Sequence, residues 1–122
     1  MTKRILIVGE SASVRRVESF VLSSAGYEVM EAVDGVDALA RLAGRRVHLV
    51  LTGLDMPNLD GLGLIRAIRE HAAHRFTPVV MITTPSQAPR KQDGRAAGAT
   101  GWIAKPFTPD QLLTAVRRVI GA

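Results

Sequence analysis

The segment Leu49-Val50-Leu51-Thr52-Gly53-Leu54-Asp55-Met56-Pro57-Asn58-Leu59-Asp60-Gly61 carries the clearest structural signal in the chain. Its first part belongs to a near-continuous apolar run over residues 47–52, which is typical of a strand buried on both faces in a parallel sheet. Pro57 and Asp60-Gly61 indicate a loop, and Leu64, Ile65 and Ile68 follow it at helical spacing. We therefore predict a buried parallel strand that leads through a loop into a helix.

The same alternation of strand and helix runs through the rest of the chain. Other strand candidates are Arg4–Val8, Glu28–Ala32, residues 78–83 and the neighbours of Ile103. Short connections between such units predict an α/β fold with five βα units, a doubly wound parallel sheet and helices on both faces. Pro85 and Pro89 prevent a helix from beginning directly after the fourth strand, although Pro89 is compatible with the first turn of a helix running to Ala97.

Composition limits what this chain can be. Its 122 residues and 47% apolar content fit one domain over residues 1–122 with its own core. The absence of cysteine excludes disulfides, thiolate metal sites and cysteine nucleophiles. The longest apolar runs fall far short of a membrane span, and the run before Gly9 is too short for a signal peptide. We expect a cytoplasmic protein without membrane insertion, either a monomer or a weak dimer.

The net charge of +5 is modestly basic and comes from scattered arginines. No basic run is interleaved with aromatic residues, so solvated helix faces are favoured over a nucleic-acid surface. His71 and His74 have helical spacing and are predicted to form a wet helix end rather than a metal site. Ser11 and Ser13 are predicted to cap the first helix, because no histidine is placed to activate either hydroxyl.

The candidate site follows from the predicted sheet. Ligands of open parallel sheets gather at the carboxyl ends of the central strands, where the strand order reverses. The residues found directly after the predicted strands are Gly9, Glu10, Gly53, Asp55, Thr83 and Lys105. We therefore expect these separate segments to line one cleft.

Several motifs in the right order strengthen this interpretation. They occupy residues 34–39, 56–61 and 98–107, together with Thr83. With them the chain, from Arg4 to its C-terminus, resembles the receiver domain of bacterial two-component response regulators, and in particular the stand-alone receivers of chemotaxis. The resemblance implies a flavodoxin-like sheet with the strand order 2-1-3-4-5 and five helices.

The resemblance also implies a phosphoryl-transfer chemistry, but this chain lacks some of the acidic side chains that this chemistry needs. Receivers accept a phosphoryl group on an aspartate, with Mg²⁺ held by acidic side chains. Here Gly53 stands at the acceptor position and Gly9 at the first position of the acid pair, so only Glu10 remains of the usual three acids. We expect no catalytic residue, no enzyme activity and no cofactor. Mg²⁺ binding should be weak or lost, with Glu10 and Asp55 as the remaining oxygen ligands.

The other family positions carry more familiar residues. Lys105 matches the lysine that contacts the acceptor and the phosphoryl group, and we predict a permanent contact between it and Glu10 or Asp55, because an unpaired buried ammonium is strongly disfavoured. Lys105-Pro106 resembles the family's cis peptide. Thr83 and Trp102 match its hydroxyl and aromatic switch, although they are equally well explained as a strand end and a surface anchor.

These features predict a two-component receiver that acts mainly by binding a signalling protein, such as a histidine kinase, a motor or another target. The face that meets targets in the family would here include Arg90, Lys91, Arg95, Trp102, Arg117 and Arg118, which suits an acidic partner. One alternative is an orthodox receiver represented by a variant without its acceptor. Asp55 could also accept phosphate in its place. The other alternative is an arginine-rich site for a cyclic dinucleotide or nucleic acid, since guanidinium groups bind phosphate in bidentate fashion.

Overall fold

The computed structural model, which describes residues 2–121, is a parallel five-stranded sheet between two layers of helices. In chain order the elements are β1 (Arg4–Val8), α1 (Ala12–Ser24), β2 (Glu28–Ala32), α2 (Gly35–Leu42), β3 (Leu49–Thr52), α3 (Gly61–Glu70), β4 (Val79–Thr83), a 3₁₀ helix (Pro85–Arg90), α4 (Lys91–Ala97), β5 (Gly101–Ala104) and α5 (Pro109–Ile120). The strand order is β2-β1-β3-β4-β5, and every neighbouring pair is parallel. The predicted fold and strand order are confirmed.

Strand periodicity creates two cores, one on each face of the sheet. In β1, Ile5 and Ile7 face the core that includes Leu112 and Val116 of α5, whereas Leu6 and Val8 face the core that includes Leu64 of α3. β3 and β4 are buried along their whole length. This agrees with the continuous apolar runs from which we predicted strands covered on both faces.

The segment after β4 differs in detail from the sequence prediction. Pro89 lies inside the 3₁₀ helix, and α4 begins only at Lys91. A proline has no N–H to donate and its ring crowds the preceding turn, so the two prolines are accommodated in the tighter helix. The result is a short α4 of 7 residues that ends at Gly98 in the left-handed conformation.

The helix ends also test the capping and histidine predictions. Ser11 caps α1 by accepting a hydrogen bond from the Val14 amide at 3.3 Å, as predicted. Ser13 does not cap the helix, because it lies inside α1 with its Oγ 3.1 Å from the Ser11 Oγ. His74 does not belong to a wet helix end, because α3 stops at Glu70 and His74 is only 5% exposed. Its Nε2 lies 2.9 Å from the Leu42 carbonyl oxygen, and a carbonyl can only accept, so this nitrogen carries the proton.

Candidate functional site

A cleft of about 190 Å³ lies at the carboxyl ends of the central strands. The Gly53 amide donates to the Val8 carbonyl at 3.1 Å, so the ends of β1 and β3 lie side by side. Five of the predicted residues line the cleft, namely Gly9, Glu10, Gly53, Asp55 and Lys105. The topology therefore brings together segments that are far apart in the sequence.

Thr83 does not line this cleft, contrary to our expectation. It is fully buried at the end of β4, and its neighbours Ile82 and Thr84 line the cleft instead. Successive side chains of a strand point to opposite faces of the sheet, and Thr83 shares its face with Met81. The Thr83 Oγ1 is buried and has no hydrogen-bond partner among residues 2–121.

The backbone conformation at Gly9 and Gly53, the two glycines that line the cleft, does not require glycine. Neither Gly9 nor Gly53 has a left-handed φ. A Cβ at Gly53 would meet nothing within 4 Å, and a Cβ at Gly9 would only touch the Arg15 Cγ at 4.0 Å. Gly61 is different, because its Cβ would lie 2.2 Å from the Gly53 carbonyl oxygen. The fold therefore leaves room for a larger residue at positions 9 and 53.

Arg15 brings a positive charge to the β1 side of the cleft. Its Nη1 donates to the Gly9 carbonyl oxygen, and its Nε donates to the Glu31 carboxylate of β2 at 3.1 Å. The side chain is only 13% exposed. A guanidinium is thus held beside Gly9, where our sequence analysis places the first of the family's metal-binding acids.

Asp55 is held on the opposite wall of the cleft by the 3₁₀ helix. Gln87 donates to its Oδ2 at 2.8 Å, and the Arg90 guanidinium donates to its Oδ1 at 2.7 Å. These bonds, with that of Gln87 as the larger cause, lower the pKa of the Asp55 carboxyl. Both carboxylate oxygens are therefore engaged, and Asp55 is not the partner of Lys105.

Lys105 directly follows β5 and precedes Pro106, and the Lys105-Pro106 peptide bond is cis, as the resemblance implied. It is half-buried, and no carboxylate within residues 2–121 lies within 4.0 Å of its Nζ. The predicted permanent contact of Lys105 with Glu10 or Asp55 is therefore wrong. Glu10 is exposed, and Asp55 is drawn towards Arg90.

The acid on which the charge of Lys105 acts is Glu18, which our sequence analysis did not single out. Glu18 lies on α1, is 4% exposed, and lines the cleft together with Lys105. Its Oε2 has no hydrogen-bond partner in the described chain. Burial raises the pKa of the Glu18 carboxyl, and the nearby Lys105 ammonium offsets part of this rise. A signal was present in the sequence, because Glu18 interrupts the apolar stripe between Val14 and Leu22 at helical spacing.

The remaining side chains make a poor metal site. Within residues 2–121 no three histidine, cysteine, aspartate or glutamate side chains are arranged to hold a metal ion. Of the predicted oxygen ligands, Glu10 is exposed and the carboxylate of Asp55 is already bonded to Gln87 and Arg90. Lys105 and Arg15 line the same cleft. The donor set therefore does not fit Mg²⁺, which favours several carboxylate oxygens.

The predicted switch and partner residues are divided between the two faces of the sheet, because Trp102 packs on the α3 side and α5 packs on the other side. Trp102 is half-buried against the α3 side of the core, with the Lys91 Nζ 5.4 Å and the Arg95 Cζ 5.2 Å from its ring. Both are cation–π contacts, so α4 holds the ring with two positive charges. Arg117 and Arg118 are exposed on the last turn of α5, whereas Arg90 is engaged with Asp55.

Comparison with known proteins agrees with this geometry. Residues 5–117 match the response regulator receiver domain. The chemotaxis protein CheY1 of Helicobacter pylori is 34% identical over 120 residues, which are 97% of each chain. The structure of the chemotaxis response regulator CheY4 of Vibrio cholerae superposes with a TM-score of 0.92 at 39% identity, covering 98% of this chain and 99% of that one.

A third relative bears on the cleft. The receiver domain of a sensor histidine kinase from Pseudomonas aeruginosa superposes with a TM-score of 0.90 at 28% identity over the full length of both chains, and it has a magnesium ion coordinated in its active-site cleft. The doubly wound sheet with a cleft at its carboxyl edge is the architecture that this chain shares with these receiver structures. This chain belongs to the response regulator receiver domain family. No helix in residues 2–121 combines the length and apolar character needed to cross a membrane.

Proposed function

We propose that this receiver domain works without conventional aspartyl phosphorylation and acts by binding a signalling protein. The observation that carries the proposal is Gly53. It stands at the position of the family's acceptor, in open space, with a backbone conformation that any residue can adopt. The absence of a carboxylate is therefore a chemical property of this chain and not a demand of its fold.

Asp55 and Glu18 also line the cleft, but neither is suited to replace the acceptor. In-line phosphoryl transfer needs a nucleophile placed within a fraction of an ångström, and it tolerates little displacement. The Asp55 carboxylate is bonded through both oxygens, and Glu18 is buried in the wall of the cleft. We therefore propose that neither Asp55 nor Glu18 accepts phosphate, that the domain has no enzyme activity, and that Mg²⁺ binding is weak or lost.

Intact-mass spectrometry after incubation with Mg²⁺ and acetyl phosphate tests this proposal. We expect no added phosphate on the parent protein and labelling of Gly53→Asp or of Gly9→Asp/Gly53→Asp, because both sites have room for a side chain. Labelling of the parent would overturn the proposal, and Asp55→Asn would then show whether Asp55 is the acceptor. Full labelling of Gly53→Asp alone would favour an orthodox receiver that lacks only its acceptor, whereas a need for Asp at position 9 would favour a cleft altered at both sites.

We further propose that the partner is an acidic protein which docks on the face formed by α4, β5 and α5. Lys91 and Arg95 flank Trp102, and Arg117 with Arg118 adds two exposed charges on α5. Complementary charge accelerates association and selects partners. Reversal of two charges in Arg95→Glu/Arg118→Glu should weaken binding to a co-purified partner at least tenfold at low salt. The exposed Arg66→Glu on α3 serves as the control, and an equal effect of both variants would exclude this face.

A further inference from the structure

Two loops at the amino ends of β3 and β4 form a groove at the edge of the sheet opposite the cleft. The groove has a volume of about 580 Å³ and is lined by, among others, Arg45, Arg46, His48, Arg75 and Phe76. No aspartate or glutamate lines it. We call this surface the basic groove.

The loop that carries Phe76 is held firmly in place. Arg69 of α3 donates through Nη1 to the Thr77 carbonyl at 2.6 Å and to the Arg75 carbonyl at 3.2 Å, and through Nε to the Gly98 carbonyl at 2.9 Å. On the other side, the buried His74 bonds to the carbonyl of Leu42 in α2. The loop is therefore anchored to two helices and presents its outward side chains in a defined position.

Phe76 is 83% exposed on this anchored loop, although its ring is apolar. The Arg75 guanidinium carbon lies 4.8 Å from the ring centroid, so one positive charge accompanies the aromatic surface. A firmly anchored loop that holds an exposed aromatic ring in water beside a guanidinium group offers a stacking platform for a planar ligand.

The electrostatics of the basic groove agree with an anionic ligand. Arg45, Arg46 and Arg75 are all exposed. The pKa of His48 is lowered, first by burial and then by the charges of Arg46, Lys3 and Arg4 around it. Glu28 lies opposite Arg4 in the β1–β2 register, and its carboxylate is already bonded to the Arg4 guanidinium at 3.0 Å. Positive charge therefore accumulates at this edge.

We propose that the basic groove binds single-stranded nucleic acid, with a base stacked on Phe76 and phosphates bonded to Arg46 and Arg75. Base stacking on an aromatic ring combined with guanidinium contacts to the backbone is the usual means of binding single strands without sequence preference. The primary sequence hides this surface because Arg45-Arg46 and Arg75-Phe76 belong to different loops. The fold places the aromatic residue among the arginines.

Fluorescence polarisation with a short labelled oligouridine tests the proposal on the intact protein. Phe76→Ala should weaken binding about fivefold or more, since stacking contributes at least about 1 kcal/mol per base. Arg46→Gln/Arg75→Gln should weaken it at least tenfold and reduce the slope of log Kd against log salt by about 1.4, because each phosphate contact on a single strand contributes about 0.7. All these side chains are exposed, and unchanged melting temperatures would show that the variants fold.

Two matched controls separate a site from a general attraction between a basic protein and a polyanion. Phe20→Ala removes another exposed phenylalanine, 72% exposed on α1, and Arg16→Gln/Arg66→Gln removes the same charge from exposed positions on α1 and α3 that do not line the groove. Both controls should bind like the parent. Equal losses in the controls, no binding by the parent, or equal binding of polyglutamate or of an abasic phosphate chain would overturn the proposal.

Discussion

The two halves of the carboxyl edge of the sheet differ in what they share with the receiver family. At the ends of β1 and β3, Gly9 and Gly53 leave the cleft without two carboxylates, and Arg15 bonds to the Gly9 carbonyl. At the ends of β4 and β5, Thr83 is buried, Lys105 precedes a cis proline, and Trp102 packs against the core. Under the proposed function, the first half lacks carboxylates at the acceptor and acid-pair positions, whereas the second half keeps residues that match the switch positions of the family.

This difference separates positions on which the fold depends from positions on which it does not. The side chains of β4 and β5 contribute to the cores, so their loss would reduce packing. Positions 9 and 53 contribute no buried side chain, and substitutions there have little structural cost. The fold therefore does not depend on the residue type at either position.

The largest expected effect compares Gly53, which lines the cleft, with Gly61 at the start of α3. Gly61→Ala should destabilise the protein by roughly 1–3 kcal/mol, the usual cost of overpacking, because the new methyl group would meet the Gly53 backbone carbonyl. Gly53→Ala should leave the free energy of unfolding unchanged or raise it by up to about 1 kcal/mol, since it restricts only the unfolded chain. Urea unfolding followed by circular dichroism measures both. A loss in Gly53→Ala as large as that in Gly61→Ala would show that glycine 53 has a structural role.

An intermediate effect is expected at Glu18 of α1, which lines the cleft together with Lys105. Its pKa is raised in the folded protein, so the charged form is disfavoured there, and stability falls as the pH rises from the ordinary glutamate pKa through the raised one. Glu18→Gln should therefore stabilise the protein at neutral pH, by on the order of 1 kcal/mol for a buried unpaired group. The gain should disappear at acid pH, where the parent carboxyl is protonated.

Thermal unfolding between acid and neutral pH measures this gain. Glu70→Gln is the control, because Glu70 is exposed at the end of α3 and should change little at any pH. If Glu18→Gln were less stable than the parent at neutral pH, the attraction between Glu18 and Lys105 would outweigh the cost of burial. The Lys105 ammonium would then have a functional counter-ion on α1.

The smallest expected effect concerns the surroundings of Trp102 in β5. Trp102 is the only tryptophan, so its fluorescence reports directly on the ring between Lys91 and Arg95. Arg95→Gln should shift the emission and destabilise the protein by about 0.5 kcal/mol, the lower value for an exposed cation–π contact. Arg117→Gln/Arg118→Gln should leave the spectrum unchanged. An unaltered spectrum in the first variant would mean that α4 does not hold the ring.

Much of the fold could be predicted because its signals are local. Continuous apolar runs marked β3 and β4 as buried strands, Ser11 marked the start of α1, and the left-handed Gly98 follows the end of α4. The positions directly after the strands also identified most of the cleft. The limits of α4 were missed because two prolines allow a 3₁₀ helix as well as a loop, and only packing decides between them.

The sequence by itself determined the α/β class, the order of motifs and the absence of a carboxylate at positions 9 and 53. Only the tertiary structure decided which charges meet. Asp55 joins Arg90 rather than Lys105, Glu18 of α1 faces the cleft, and Phe76 lies near Arg46. The physical reason is that strand and helix patterns depend on neighbours a few residues away, whereas these contacts depend on how the crossovers bring distant loops to one edge of the sheet.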